Sequence, residues 1–181
     1  GIKYIKIAIS NGNEDAIKVY NDLIEKEEKE KNRIKQGVEE GDPDAMYKHA
    51  INLLGDDNEK SIEEALKFLK IAWEKGNIDA LYKYGYLIFK GKGAPIDKEN
   101  GLKYMKMAAD QGCLLALETI GSIFFSGVDV PIDLGEAAIY LQKACDLGSF
   151  RAAHLFVVIL AQADLLGDED CSLYVQMARE T

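Results

Sequence analysis

Cysteine, histidine, proline and tryptophan are scarce in this chain: three, two, three and one among 181 residues. Cys113, Cys145 and Cys171 are odd in number and widely spaced, and no C-x-x-C pair occurs. That excludes a disulfide framework and a cysteine-rich zinc or redox motif. A small secreted domain normally pairs its cysteines, so the sequence leans to a reducing compartment, the cytoplasm. No N-x-S/T acceptor occurs, in agreement. Positive charge is also short: 22 Lys and Arg stand against 31 Asp and Glu, a formal net charge of −9. A surface that binds nucleic acid or anionic lipid needs clustered cations, so neither is an expected partner. The longest apolar run, Leu155 to Ala161, is far too short to span a bilayer, so no membrane insertion is expected. The opening Gly1-Ile2-Lys3-Tyr4-Ile5-Lys6 lacks the apolar core of a signal peptide.

What the chain has is apolar content too high for disorder, 48% of residues, and a repeat. Five times it reads Gly-x-x-x-Ala: Gly12–Ala16, Gly41–Ala45, Gly76–Ala80, Gly112–Ala116 and Gly148–Ala152. Four residues before each glycine sits a small residue: Ala8, Gly37, Ala72, Ala108, Ala144. Seven before it an apolar residue recurs: Ile5, Ile34, Leu69, Met105, Leu141. Eight before it stand Tyr4, Phe68, Tyr104 and Tyr140, with Arg33 as the exception. A period in the mid-thirties corresponds to one helical hairpin per unit. Units therefore begin near 12, 41, 76, 112 and 148 in a single array over 1–181.

Each hairpin can be read locally. Ala80, Leu81, Tyr84, Gly85 and Ile88 form one apolar helical face. Gly91 to Pro95 breaks that helix, and Asp97 is placed to cap the next. Asp133 with Glu136, and Ser61 with Glu64, have the spacing of capping boxes. Gly112 is positioned to end a helix in the left-handed conformation. Ala50, Gly85 and Gly121 on one helix, and Ala72, Ala108 and Ala144 on the other, allow close approach.

The pattern Ala80-x3-Tyr84-Gly85-x5-Gly91-x-Gly93-x3-Asp97-x6-Tyr104-x3-Ala108-Ala109-x2-Gly112-x3-Ala116 resembles the SEL-one-like repeat (SLR), a relative of the tetratricopeptide repeat. The unit from Ala116 to Ala152 matches nearly as well, and those at Gly41 and Gly148 match in part. The resemblance implies an all-α, right-handed α/α superhelix (a solenoid) of about five stacked hairpins, partial at both ends. It also implies an adaptor or scaffold that binds proteins or peptides. Residues 1–11 read as the remnant of a preceding second helix. The first unit departs from the family: it is about seven residues short, and Glu25 to Arg33 contains no turn residue. Its two helices either fuse or join by a very tight bend. One bacterial branch of the family staples its hairpins with cysteine pairs, which this chain lacks.

Family geometry places the first helix of each hairpin on the concave side, with groove positions three, six, ten and thirteen residues after the unit glycine. Those columns give Asp44, Tyr47 and Ile51 in one unit, then Asp79, Tyr82, Tyr86 and Phe89. They continue with Glu118, Ser122 and Phe125, then Arg151 and His154. Aromatic side chains add contact area at low entropy cost. With Asp44, Asp79 and Glu118 on its rim, the strip suits a peptide carrying apolar and basic side chains. The bland alternative is that neighbouring hairpins bury these aromatics.

Other chemistry signals are weak. His49 falls on a packing face and is read as a core histidine, His154 is read as a candidate contact, and two histidines about three periods apart are too few for a dyad or a metal. Gly91-Lys92-Gly93 lacks the rest of a phosphate loop, and Gly121-Ser122 lacks the glycine of a nucleophile elbow. Cys113, in a turn between units, is read as the most exposed thiol. The charged run from Glu25 to Arg33 reads as a solvated helix face. No cofactor, metal or catalytic set is expected. The functional reading is a non-enzymatic binding scaffold. The alternatives are an array that associates end to end with itself, or the targeting arm of a larger protein.

Overall fold

The computed structural model of the chain describes residues 5, 7, 12–56, 58–163 and 172–179. Within these, α1 (Glu14–Glu40), α2 (Pro43–Leu54), α3 (Glu59–Glu74), α4 (Ile78–Lys90) and α5 (Lys98–Asp110) are followed by α6 (Leu114–Ser126), α7 (Leu134–Asp146), α8 (Phe150–Gln162) and α9 (Ser172–Arg179). From α2 onward the helices pair in order: α2 with α3, α4 with α5, α6 with α7, α8 with α9. Each pair packs on the next, which builds a right-handed α/α superhelix. Residues 1–11, read as a helix remnant, and Cys171 lie almost wholly outside the described residues.

The unit glycines explain how one hairpin hands over to the next. Gly41, Gly76, Gly112 and Gly148 have φ of 78°, 100°, 82° and 89°. L side chains rarely adopt this left-handed region, so the reversal between units selects glycine. The next helix then starts within two residues, on a side-chain cap at α2, α4 and α8 but not at α6, where Cys113 makes no cap hydrogen bond. The Asn77 side chain accepts the Ala80 N–H at 2.6 Å, and Ser149 accepts that of Ala152 at 3.0 Å. Within hairpins Asp97 and Asp133 cap α5 and α7 as expected, accepting from Asn100 and Glu136.

Two caps differ from the sequence reading. α3 is capped by Asn58 rather than Ser61; the Asn58 amide oxygen accepts the Ser61 N–H at 2.9 Å, so the helix starts earlier. The capping box at Asp133 is half formed. Glu136 does not turn back to the cap but reaches across the stack, where Lys106 donates to it at 3.0 Å.

The core is two clusters of small and large side chains, and the partly buried Trp73 packs against both. Gly85 shows why small residues recur there. A Cβ on it would lie 2.8 Å from the Tyr104 Cβ and 2.9 Å from the Gly101 carbonyl oxygen. Leu69, Met105 and Leu141, one from each successive second helix, are completely buried. His49 is half-buried and meets Phe68 edge to face at 4.6 Å, which satisfies the packing role read for it.

The first unit resolves the open alternative as fusion. α1 runs without interruption through Glu25–Arg33, because nothing there breaks a helix and opposite charges recur at helical spacing. Lys29 meets Glu25 at 2.5 Å one turn away. At 1.5 Å per residue α1 is about 40 Å long and α2 about 18 Å, so α1 outruns the helix it packs on.

Candidate functional site

The first helices α2, α4, α6 and α8 share one face, and two grooves open on it. The larger, about 440 Å³, lies between α4, α6 and the start of α8. Tyr82, Tyr86, Glu118, Ser122 and Arg151, all expected at the concave face, line it together. The second, about 400 Å³, lies between α1 and α2 and takes in Asp44, Tyr47 and Asp79. Eight of the twelve sequence-derived positions thus fall into two neighbouring grooves. Ile51, Phe125 and His154 line neither. His154 is exposed, and its ring nitrogen lies 3.1 Å from the Phe150 carbonyl oxygen.

Phe89 is a correction. It has no exposed surface and is among the largest fully buried side chains. Its column nears the end of α4, where α5 crosses so closely that a Cβ on Gly101 would lie 2.5 Å from the Phe89 backbone nitrogen. The missing side chain on Gly101 draws Phe89 into the core. Cys113 is a second correction. Expected as a surface thiol, it is only 6% exposed, though more so than Cys145 at 3%. Its Sγ turns back onto the Asp79 carboxylate, 3.6 Å away. Burial, reinforced by that carboxylate, pushes the thiol's pKa up, so it is a poor nucleophile at neutral pH. Cys145 is likewise buried, and desolvation raises it to about 11.

The larger groove has an ordered polar floor. The Tyr82 hydroxyl and Thr119 Oγ1 are 2.9 Å apart, and the Tyr82 and Tyr86 rings stand 6.2 Å apart. Burial raises the Tyr82 phenol, so it stays a neutral hydrogen-bonding group. At one end Lys90 and Lys98 both pair with Asp129, with Lys90 donating to its carboxylate. The Lys90 ammonium, and then Lys98, hold the Asp129 carboxyl below the usual carboxylate range. At the other end Arg151 is exposed and has no ion-pair partner among the described residues. Sequence columns missed Thr119, Lys90 and Asp129. The first two lie one position beyond the columns used, and Asp129 sits in a turn that periodicity does not reach.

The acidic rim does two jobs. Asn77 donates to Asp44 at 2.7 Å, Cys113 approaches Asp79, and Ser149 donates to Glu118. In each case the residue at the N-cap position of one unit's first helix contacts an acid of the preceding unit. The smaller groove remains acidic, with Glu30, Asp42, Asp44 and Asp79 against Arg33 and Lys48. The face is therefore graded in character: acidic by α2, aromatic on α4, basic at Arg151. Among the described residues no three His, Cys, Asp or Glu side chains are grouped to hold a metal ion, and no helix is long and apolar enough to cross a membrane.

The family described as "Plant tetratrico peptide repeats" matches residues 22–118, and the Sel1 repeat family matches residues 115–149. Among solved structures, a Sel1 repeat protein from Oxalobacter formigenes superposes with a TM-score of 0.68 at 25% identity. That match covers 81% of this chain and 62% of the other. The protein c5321, a protective antigen present in uropathogenic Escherichia coli strains and displaying an SLR fold, gives a TM-score of 0.63 at 21% identity. It matches over 81% of this chain and 31% of its own, so this chain spans less than two thirds of either relative. No curated protein matches.

Proposed function

This chain belongs to the tetratricopeptide/Sel1-like repeat family, and from that premise we propose that it is a non-enzymatic adaptor holding an extended segment of another protein along its inner face. The observation that carries the reading is the alignment of Tyr47, Tyr82 and Tyr86, half-buried on successive first helices, beside grooves open to solvent. Rings already held by packing lose little entropy when a ligand covers them, so stacked hairpins act by preorganisation.

The charge gradient sets the ligand's character. Basic side chains suit the Asp44 and Asp79 end, and apolar or aromatic ones suit the tyrosines. An acidic side chain or a terminal carboxylate suits Arg151. This refines the peptide read from sequence, which was apolar and basic only. Buried free thiols at Cys113 and Cys145 support a reducing setting, the cytoplasm, for this activity.

The test is selection of a displayed random-peptide library on this chain, followed by affinity measurements on the enriched peptides. The reading expects a basic–apolar–acidic consensus. It also expects at least tenfold weaker binding to Tyr82→Ala/Tyr86→Ala, as for truncated aromatic anchors. Equal binding by the parent and a folded double variant would place recognition elsewhere and overturn the reading.

A further inference from the structure

Several apolar side chains of α1 stand exposed at columns that the other units bury. Five residues after the unit glycine, the repeats place Met46, Leu81, Leu117 and Ala153, all at most 8% exposed; in the first unit Ile17 is 40% exposed. Eleven residues after it, Leu87 and Ile123 are 4% and 7% exposed, whereas Leu23 is 38% exposed. Fusion of the hairpin into one helix carried this half of α1 beyond α2. The second half of α1 is not built to receive it as a hairpin partner: Glu30 stands where other units have Ala65, Gly101 and Ala137, and Arg33 replaces their aromatic residue.

We propose that the occupant of this face is a second copy of the chain, paired with α1 antiparallel to α1. Three observations converge. First, Ile17, Tyr20, Ile24, Glu27, Lys31, Ile34 and Val38 follow the three–four spacing of a coiled-coil seam without a skip. Second, the seam is self-complementary. The antiparallel register that sets Ile24 opposite Ile34 of the second copy also sets Tyr20 opposite Val38, and Glu27 opposite Lys31. A two-fold axis then repeats every contact. Third, the charge divides along the helix. Residues 14–28 hold six acids and two bases, whereas residues 29–40 hold four bases and three acids. Antiparallel pairing lays the acidic half of one copy against the basic half of the other; parallel pairing sets like against like.

The receiving surface exists. Between the second half of α1 and α2 lies a groove of about 390 Å³, with the half-buried Val38 and His49 and the largely buried Ile34 along it, and Lys31, Lys35 and Glu39 among its charged lining. Ile17, Tyr20 and Ile24 of one copy dock along this groove of the other. Glu27 and Lys31 at the centre form two reciprocal ion pairs, which fix the register.

Sedimentation equilibrium of the full chain tests this. The parent is expected to be a dimer. Glu27→Lys and Lys31→Glu each put like charges across the seam and are expected to weaken the dimer roughly tenfold or more. The double variant Glu27→Lys/Lys31→Glu restores opposite charges and is expected to restore the dimer. Both side chains are exposed, so unchanged helicity is expected throughout, and melting falls only as far as the loss of the dimer lowers it. A second readout is independent of charge. Oxidative cross-linking of a mixture of Glu27→Cys and Lys31→Cys chains is expected to outpace that of either alone. A monomeric parent, a dimer indifferent to the single variants, or a double variant that stays dissociated overturns the proposal. Faster cross-linking of Glu27→Cys with itself would mean a parallel pair and also overturn it.

Discussion

The Asn77 side chain holds two units at once: its oxygen accepts the Ala80 N–H at 2.6 Å, and its nitrogen donates to the Asp44 carboxylate of the preceding unit at 2.7 Å. Capping of a helix and attachment to its neighbour are thereby one structural event. In an array whose units contact only their neighbours, such links set how cooperatively the units fold.

Asn77→Ala is expected to cost about 1–2 kcal/mol, the range for loss of a good cap. Paired with Asp44→Ala in a double-mutant cycle, it should show a coupling energy of about 0.5 kcal/mol or more, as contacting residues do. Urea denaturation followed by helical circular dichroism measures both. Strict additivity would mean the inter-unit bond carries no stability.

Gly85→Ala adds one methyl where α4 and α5 touch. The clash includes the Gly101 carbonyl at 2.9 Å and the Met105 nitrogen at 3.0 Å, both backbone atoms that cannot rotate away. Alanine's better helix propensity is worth only about 1 kcal/mol, and overpacking costs about 1–3 kcal/mol. Net destabilisation by thermal melting is the expected result; a stabilised variant would mean that the hairpin opens freely.

The Asp129 ion pairs give a pH signature. Its carboxyl is held below the ordinary value in the folded chain by Lys90 and Lys98. A depressed folded pKa contributes stability above the unfolded pKa, and that contribution disappears as pH falls through the folded pKa. The stability gap between parent and Asp129→Asn should therefore be constant from neutral pH down to about pH 5. It should close below about pH 4, where free aspartate protonates. Urea midpoints for both proteins across that range test the sign. A gap that widens on acidification would show that the lysines do not hold this carboxylate.

The repeat columns were legible because backbone geometry leaves little choice. A left-handed φ at Gly41, Gly76, Gly112 and Gly148 selects glycine, and the Gly85–Tyr104 approach excludes larger residues; both leave marks in the sequence. The site was legible only in part. Tyr82, Tyr86 and Arg151 line one groove because they project at helical spacing from one face. Phe89 was misplaced because its burial depends on how closely a different helix crosses, which is set by Gly101 rather than by Phe89's own column. Cys113 was misplaced for a similar reason: its environment is the acid of the preceding unit, and sequence spacing within its own unit says nothing of that neighbour.

The missing reversal in α1 also changes how force travels. A hairpin pulled by its first helix opens like a zip, one contact after another. A pull on the Glu14 end of α1 runs along an unbroken helix and loads its seat on α2, including the Lys48–Glu30 pair at 3.0 Å, in shear. All of those contacts resist together. The first unit is thus a stiff handle, through which tension reaches the rest of the spring before anything unwinds.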